Sequence, residues 1–566
     1  MKPSWYVFLL AAIATAPHNL FSQQLTKAQV ARIDSLFTRY DRQDSPGYAL
    51  GIYRGGKLIY SAGYGMADLE HAVPITPQTR FDIGSTSKQF TATALLLLEQ
   101  EGKLSLEDDV RKYIPELPDY GKPITVRHLL NHTSGLRDYI GLMSMSGFDI
   151  DDVTTSEDAL RVIARQRALN FEPGTEHLYS NTGYFLGAVL VERVTGKTLR
   201  EFAAERIFAP LGMAQTTYVD DHTEVLQDRA IAYSPGGDDA WHRDVSYWEQ
   251  NGDGGIFTSV EDLLLWDENF FHPTVGGEKL NRELLRRGVL DNGDTLDYSL
   301  GLMQSEFMGI PVVSHGGSWG GYRAELMRIP SEHLSVALLS NCGVSNPSAA
   351  AERVLAIVLG SSLPPSTTSP LPSSDPLPPT TEVAFDPTLF DAYVGDYALD
   401  LAPDFVLTFR RDGDRYYSQA TGQQELEILP SSDSTFFLKE INASMTFHRE
   451  KEGSAQTVTL HQGGDYTAHR VVPFKIDAGA LLVYTGEYYS DELETTYQLA
   501  PEGRGLIAMS SRGDSVLLTP VDTDRFVGSE WFLQEVEFER GSEGGVAAMV
   551  VSVGRVKNLR FLRKNP

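Results

Sequence analysis

Cysteine is almost absent from this sequence, which has only Cys342 in 566 residues. One cysteine cannot form an internal disulfide, a cysteine-based zinc site or an iron–sulfur cluster. Runs of lysine and arginine are also lacking, and the formal net charge is -28. A chain this acidic repels a phosphate backbone, so its composition excludes nucleic acid as a partner.

Long hydrophobic runs are missing beyond the N-terminus, where no segment reaches the roughly 18 apolar residues of a membrane-spanning helix. The N-terminal run from Trp5 to Ala16 is short, follows the charge of Lys2 and ends before the small residue Ser22. This pattern is typical of a secretory signal peptide, with an uncleaved anchor as the alternative. We predict cleavage after residues 1–22 and a mature chain that is exported, periplasmic or secreted, without a transmembrane segment.

Proline is concentrated in one stretch, residues 361–387, where it alternates with serine and threonine. These prolines remove backbone donors and favour extended conformations, which indicates a semi-rigid linker. Before the linker, helical and strand patterns alternate. The predicted helices there cover residues 25–41, 85–100 and 181–194, and the predicted strands lie around 47–64 and 312–339. After the linker, short alternating strand patterns predominate.

The region after the linker repeats itself. The same landmarks recur 90 or 91 residues later: Tyr393, Gly395, Tyr397, Pro430, Phe436 and Phe447 match Tyr484, Gly486, Tyr488, Pro520, Phe526 and Phe538. So constant an offset indicates a tandem duplication. Closing a small sheet into a barrel removes its exposed edges. We therefore predict two small all-β antiparallel barrels, at residues 388–475 and 476–566.

One segment at the start of a predicted helix could carry chemistry. It is Ser85-Thr86-Ser87-Lys88. Three residues along a helix bring Lys88 back to the face of Ser85. An ammonium beside a hydroxyl lowers the cost of forming the alkoxide, and the helix N-terminus adds partial positive charge. The motif alone is weak, because a serine N-cap followed by a solvated lysine has the same pattern.

Two further segments follow in order, Tyr179-Ser180-Asn181 and His315-Gly316-Gly317. This order resembles the serine β-lactamase and penicillin-binding protein superfamily, specifically its class C branch with related esterases and D-aminopeptidases. The segments Leu129–Leu136 and Gly254–Ser259 are also similar to that family. The resemblance implies an α/β (α+β) β-lactamase/transpeptidase-like catalytic domain over residues 23–360.

The resemblance also implies roles for the matching residues. Ser85 would be the nucleophile, activated by Lys88 and Tyr179, with the phenol as base toward Ser85 and as acid toward the leaving group. Asn181 would orient Lys88 and bind the substrate amide or ester. The backbone N–H groups of Ser85 and Ser318 would form the oxyanion hole. The neighbouring glycines, Gly316 and Gly317, also fit independently, since a strand without Cβ atoms lets a substrate lie against its backbone.

His315 departs from the pattern of true β-lactamases, which have Lys-Thr-Gly at this place. A lysine is a permanent cation for a substrate carboxylate, whereas an imidazole with an ordinary pKa of about 6.5 is mostly neutral at pH 7. Histidine here is similar to the esterase and D-aminopeptidase branches, and the latter also have two β-barrels. We predict an exported serine hydrolase, without cofactor or metal, acting on small-molecule or peptide esters and amides, with D-amino-acid peptides as one candidate class.

Two other functions stay open: a class C type β-lactamase or DD-carboxypeptidase, and a non-catalytic cell-wall or ligand-binding protein. Two local alternatives also exist. Ser318 lies in a G-x-S-x-G pattern, but the predicted strand after it does not match the helix that a nucleophile elbow requires. His128 and His132 have the spacing of a zinc helix but lack the adjacent glutamate, which favours structural roles. The pattern makes no prediction of oligomeric state.

Overall fold

The computed structural model describes residues 24–564, apart from residues 237–239, 361–381, 401, 422–424, 439–442, 450–452, 463–464, 472–473 and 475. The predicted signal peptide and most of the predicted linker lie outside the described residues. Within these ranges, every helix falls short of the length and apolar character that a membrane crossing requires.

Helices fill much of the N-terminal part, residues 24–360. Several begin at a threonine whose side chain accepts the backbone N–H three residues on, as at Thr26, Thr125 and Thr155. Such caps satisfy donors that the first helical turn leaves unpaired. The helices are α1 (Lys27–Phe37), α2 (Lys88–Gln100), α3 (Val126–Leu130), α4 (Tyr139–Met145), α5 (Ser156–Ala164), α6 (Asn181–Thr195), α7 (Leu199–Ala203), α8 (Ala209–Leu211), α9 (Val260–Glu268), α10 (Gly277–Leu284) and α11 (Pro347–Leu359).

Strands of the N-terminal part form one main antiparallel sheet and several short pairings. The strands are β1 (Tyr48–Arg54), β2 (Lys57–Tyr64), β3 (Met66–Asp68), β4 (Val73–Pro74), β5 (Phe81–Asp82), β6 (Thr217–Tyr218), β7 (Tyr233–Pro235), β8 (Trp241–Arg243), β9 (Ile256–Thr258), β10 (Met303–Phe307), β11 (Ile310–Trp319), β12 (Tyr322–Ile329) and β13 (Leu334–Ser340). The main sheet has the order β10-β11-β12-β13-β1-β2. The predicted strands around 47–64 and 312–339 are thus confirmed, and they meet where β1 pairs with β13.

Both faces of the main sheet are covered. On one face, Ile33 and Phe37 of α1 and Leu355 of α11 belong to one buried cluster with strand residues. On the other face, Ala49 and Leu339 of the sheet belong to the buried cluster that contains the residues of α2. All of α2 from Lys88 to Leu98 is buried. Since a helix buried all round is held by packing from every side, α2 fixes the residues at its N-terminus firmly.

The repeat forms two closed eight-stranded antiparallel barrels, which confirms the predicted architecture. The repeated aromatic residues make equivalent contacts in the two barrels. The ring centroids of Tyr393 and Phe447 are 4.4 Å apart, and those of their counterparts, Tyr484 and Phe538, are 4.8 Å apart. Barrel 1 follows α12 (Pro387–Phe390), and its strands are β14 (Gly395–Leu399), β15 (Ala402–Asp412), β16 (Arg415–Ala420), β17 (Leu426–Pro430), β18 (Thr435–Leu438), β19 (Ser444–His448), β20 (Thr457–His461) and β21 (Asp465–Val471). Barrel 2 follows α13 (Ala478–Leu481), and its strands are β22 (Gly486–Ser490), β23 (Thr495–Glu502), β24 (Gly505–Ser510), β25 (Ser515–Asp522), β26 (Arg525–Gly528), β27 (Glu535–Arg540), β28 (Val546–Val553) and β29 (Val556–Arg563).

The barrels differ in their relation to the N-terminal part. Barrel 1 has a hydrophobic cluster of its own. Core residues of barrel 2 belong to the same cluster as α2. At the junction, the buried Arg137 lies 3.0 Å from the carboxylate of Glu492, and the Tyr497 hydroxyl donates to the backbone O of Met145 at 2.9 Å. Barrel 2 is therefore packed as part of the structure around α2.

Candidate active site

Ser85 lies on a 3-10 turn, Gly84–Ser87, that leads directly into α2. The helix predicted from Ser85 thus begins as this tighter turn and becomes an α-helix at Lys88. Gly84 has a φ of 48°, and a Cβ atom on it would lie 2.7 Å from the backbone N of Ser318. Only glycine combines that φ with so close an approach. Ser85 is consequently held between the N-terminus of α2 and strand β11.

Lys88 is fully buried beside Ser85. Its Nζ atom donates to Ser85 Oγ at 3.0 Å, to Asn181 Oδ1 at 2.9 Å and to the backbone O of Asp253 at 2.7 Å. Burial lowers the pKa of Lys88, although the carboxylates of Asp253 and Asp138 act in the opposite direction. The result is an amine fixed at hydrogen-bond distance from a hydroxyl, with a reduced preference for the charged form. Such an amine can accept the hydroxyl proton.

Tyr179 and Asn181 lie at the start of α6, where Asn181 is the first helical residue. The backbone N–H of Asn181 donates to Asp138 Oδ2 at 2.7 Å. The Nζ atom of Lys88 is 4.9 Å from the centroid of the Tyr179 ring. The phenol oxygen of Tyr179 is buried and has no hydrogen-bond partner in the described part of the chain. Burial raises its pKa above the ordinary value, despite the nearby hydroxyl of Ser85.

His315 lies on β11 and is only 4% exposed. Its Nδ1 atom is 2.6 Å from the backbone O of Gly316, and because a carbonyl oxygen only accepts, Nδ1 carries a proton. Its Nε2 atom is 3.0 Å from the Tyr298 hydroxyl, which then donates to it. Burial, followed by the charge of Lys88, lowers the pKa of His315 to about 4. The imidazole is therefore neutral at pH 7 and offers no cation to a substrate.

Gly317 lies where β11 meets the Ser85 turn. A Cβ atom there would be 1.8 Å from the backbone O of Ile83. We predict that Gly317→Ala separates the strand from the turn and lowers kcat/KM for a chromogenic ester about 100-fold, because a shift of roughly 1 Å has that effect on catalysis. Steady-state kinetics on folded protein measure this. Gly479→Ala, with nothing within 4 Å of the added atom, is the matched control, and a folded Gly317→Ala variant with unchanged kinetics would contradict the prediction.

Three charged residues near Ser85 were not found from the sequence. Asp253 directly precedes the segment Gly254–Ser259, which resembles the family. Its Oδ2 atom accepts a hydrogen bond from the Tyr139 hydroxyl at 3.1 Å. Asp138 lies two residues after the segment Leu129–Leu136, which also resembles the family, and it is 3% exposed. Their adjacency to those segments is a signal that could have indicated both. Arg555 lies in barrel 2, more than 400 residues from Ser85, and no motif marks it.

Arg555 reaches the site from the turn between β28 and β29. Its guanidinium carbon lies 4.7 Å from the centroid of the Tyr179 ring, and one of its nitrogens is 4.0 Å from Asp138 Oδ2. The backbone O of Arg555 accepts the N–H of Asp138 at 3.1 Å and the side-chain N–H of Asn170 at 2.9 Å. Arg555 and Ser85 line the same open cavity. Barrel 2 thus forms part of the wall around Ser85.

The G-x-S-x-G alternative is wrong on structural grounds. Ser318 lies within β11, and the chain then turns into β12, which pairs with β11 in an antiparallel manner. A nucleophile elbow needs a helix after its strand. The side chain of Ser318 is exposed, while its backbone N lies beside the Ser85 turn.

His128 and His132 are engaged in local hydrogen bonds. The Nδ1 atom of His128 accepts the N–H of Thr125 at 3.2 Å, within the cap of α3. The Nδ1 atom of His132 accepts the N–H of Ser180 at 3.1 Å. In the described ranges, the group of side chains spaced closely enough to hold a metal is Asp221, His222 and Glu249, and neither imidazole belongs to it. The zinc alternative has no support from this geometry.

Comparison with known sequences identifies a family and several relatives of this chain. A family model described as Beta-lactamase matches residues 28–360. Penicillin-binding protein 4* of Bacillus subtilis is 28% identical over 436 residues, which cover 74% of this chain and 93% of that protein. A D-aminopeptidase of Brucella anthropi is 28% identical over 538 residues, which cover 92% of this chain and 95% of that protein.

Solved structures show the same fold. The octameric penicillin-binding protein homologue from Pyrococcus abyssi is 24% identical with a TM-score of 0.56, over 78% of this chain and 99% of that one. The D-amino acid amidase from Ochrobactrum anthropi SV3 is 24% identical with a TM-score of 0.52, over 59% of this chain and 99% of that one. The predicted resemblance and fold class are confirmed. Because the family model matches more than half of the chain, the protein belongs to the Beta-lactamase family and is a serine hydrolase.

Proposed function

We propose that this protein hydrolyses amides, esters or short peptides of D-amino acids through an acyl-enzyme on Ser85. The observation that carries the proposal is the 3.0 Å hydrogen bond from Lys88 Nζ to Ser85 Oγ, in a cavity that Tyr179 and Asn181 also line. Support for the substrate class comes from the Brucella anthropi D-aminopeptidase, since the alignment covers nearly all of both chains.

In the proposed acylation step, Ser85 Oγ attacks the substrate carbonyl and its proton passes to the neutral amine of Lys88. The directions of two pKa shifts favour this assignment. Burial lowers the pKa of Lys88 and raises that of Tyr179, so the neutral amine is a far more accessible base than a phenolate. This assignment differs from the sequence-based hypothesis, in which the phenol is the base toward Ser85. We assign the Tyr179 phenol instead to protonating the leaving group, after which the Lys88 ammonium returns a proton to it.

The charge that develops on the substrate oxygen needs donors, which we assign to the backbone N–H groups of Ser85 and Ser318. Support for this role is the close packing of Gly84 against the backbone N of Ser318. Asn181 holds the Lys88 amine and can also meet the substrate amide. Water then attacks the ester carbon and passes a proton to Lys88, and the acyl group leaves as the acid while Lys88 returns that proton to Ser85 Oγ.

The proposed nucleophile is tested with a fluorophosphonate probe, which labels activated serines. We expect peptide mapping by mass spectrometry to locate the adduct on Ser85 of the purified full chain, because its hydroxyl is paired with an amine of lowered pKa. Labelling should be lost in Ser85→Ala and after denaturation of the wild type. An adduct on another serine, or no adduct, would contradict the proposal.

A further inference from the structure

The neutral state of His315 leaves β11 without a cation near Ser85. Its two ring nitrogens face the backbone O of Gly316 and the hydroxyl of Tyr298. Lys88 has three acceptors around its amine. The neighbouring Arg323 turns its guanidinium back onto backbone carbonyls of its own hairpin. A substrate carboxylate therefore needs a different partner in this cavity.

Arg555 is the arginine of this cavity that lies over the Tyr179 ring, and its donors are available. Its side chain is 48% exposed and lines the cavity that contains Ser85. In the described part of the chain its guanidinium makes no hydrogen bond, and the nearest carboxylate oxygen, Asp138 Oδ2, is 4.0 Å away. Asp138 is already satisfied, because its two oxygens accept the N–H groups of Asn181 and Ile140 at 2.7 and 3.1 Å. The N–H donors of the guanidinium are thus available to a ligand.

The turn that presents Arg555 is fixed before any ligand arrives. Arg137 donates to the backbone O of Lys557 and of Asn558, each at 3.0 Å. The side-chain O of Asn170 accepts the N–H of Lys557 at 2.8 Å. The conformational entropy of this backbone is therefore lost during folding and not during binding, which favours the affinity for a ligand.

We propose that Arg555 binds a carboxylate of the substrate, so that barrel 2 supplies the cation that β11 lacks. This inference rests on the proposed function. A guanidinium pairs with a carboxylate through two parallel hydrogen bonds, which an uncharged amide cannot match. Two parts of a D-amino-acid substrate can present the group: the C-terminus of the leaving amino acid, or an acidic side chain on the acyl residue.

Paired substrates test the inference in two arms. The first arm compares D-alanyl-D-alanine with its C-terminal amide, and the second compares the p-nitroanilides of D-glutamic acid and D-glutamine. In Arg555→Gln we expect the preference for the carboxylate member of one pair to fall about 10- to 100-fold, the range of a charge-assisted pair. The neutral member should change less than about threefold. Arg555→Lys should keep part of the preference, and the arm that responds identifies the source of the carboxylate.

The matched control is Arg512→Gln. Arg512 is another half-exposed arginine of barrel 2, and it lies over the Phe148 ring at 3.8 Å, outside the cavity. Its replacement should leave both preferences unchanged. Equal losses for both members of each pair, or unchanged preferences in both arms, would overturn the inference. Absence of Ser85 labelling in the wild type would instead contradict the proposed function, and the two failures are thereby distinguishable.

Discussion

Replacement of Lys88 by methionine is expected to lower kcat/KM for a chromogenic D-aminoacyl ester by about 10³- to 10⁴-fold, near the upper range for the loss of a general base. Methionine fills the buried space without providing an amine, and Ser85 then has no neighbour that can take its proton. In the wild type, kcat/KM should rise with pH as Lys88 loses its proton. The midpoint should lie below the ordinary range of a lysine, because burial lowers this pKa.

The pH profile separates loss of the base from loss of structure. In Lys88→Met, kcat/KM should no longer rise with pH as it does in the wild type. A merely destabilised enzyme would keep the same pH profile with lower values of kcat/KM. Lys122→Met removes an exposed lysine paired with Asp291 and serves as the control, with kinetics close to wild type. If Lys88→Met kept activity within about tenfold of wild type, the amine would not be the base.

The second large effect is expected on stability. The carboxylate of Glu492 in barrel 2 accepts hydrogen bonds from the guanidinium of Arg137 at 3.0 Å and from the backbone N–H of Arg167 at 2.7 Å. The side chains of Glu492 and Arg137 have little solvent access. Glu492→Ala leaves a buried charge without its partner. We expect the unfolding transition that contains barrel 2 to lose about 3–5 kcal/mol, measured by urea denaturation followed by tyrosine and tryptophan fluorescence.

Activity should fall together with this stability. Arg137 directly precedes Asp138, whose carboxylate holds the start of α6 at Asn181. Glu539→Ala removes an exposed ion pair with Arg560 in the same barrel and should cost less than about 1 kcal/mol. The apolar double variant Arg137→Met with Glu492→Leu should recover only part of this stability. No unpaired charge is left, but the backbone groups that Arg137 and Glu492 had bonded lose their partners. A Glu492→Ala variant as stable as the control would show that the pair does not hold barrel 2 in place.

The barrels were predictable because a tandem duplication preserves its spacing. Tyr393 and Phe447 stack in barrel 1, and their counterparts 91 residues later, Tyr484 and Phe538, meet in barrel 2. Contacts that plug a small barrel require large side chains at fixed positions, so they leave a periodic trace. The segments around Ser85, Tyr179 and His315 left a comparable trace in their order along the chain.

The sequence by itself determined the family, the two barrels and the residues that could carry chemistry, because each depends on residue type at fixed local spacing. Only the tertiary structure decided the environment of those residues. Lys88 and Tyr179 acquire opposite pKa shifts through burial, which depends on everything packed around them. Arg555 reaches the Tyr179 ring because barrel 2 shares a core with α2, and such a contact between distant segments has no local pattern.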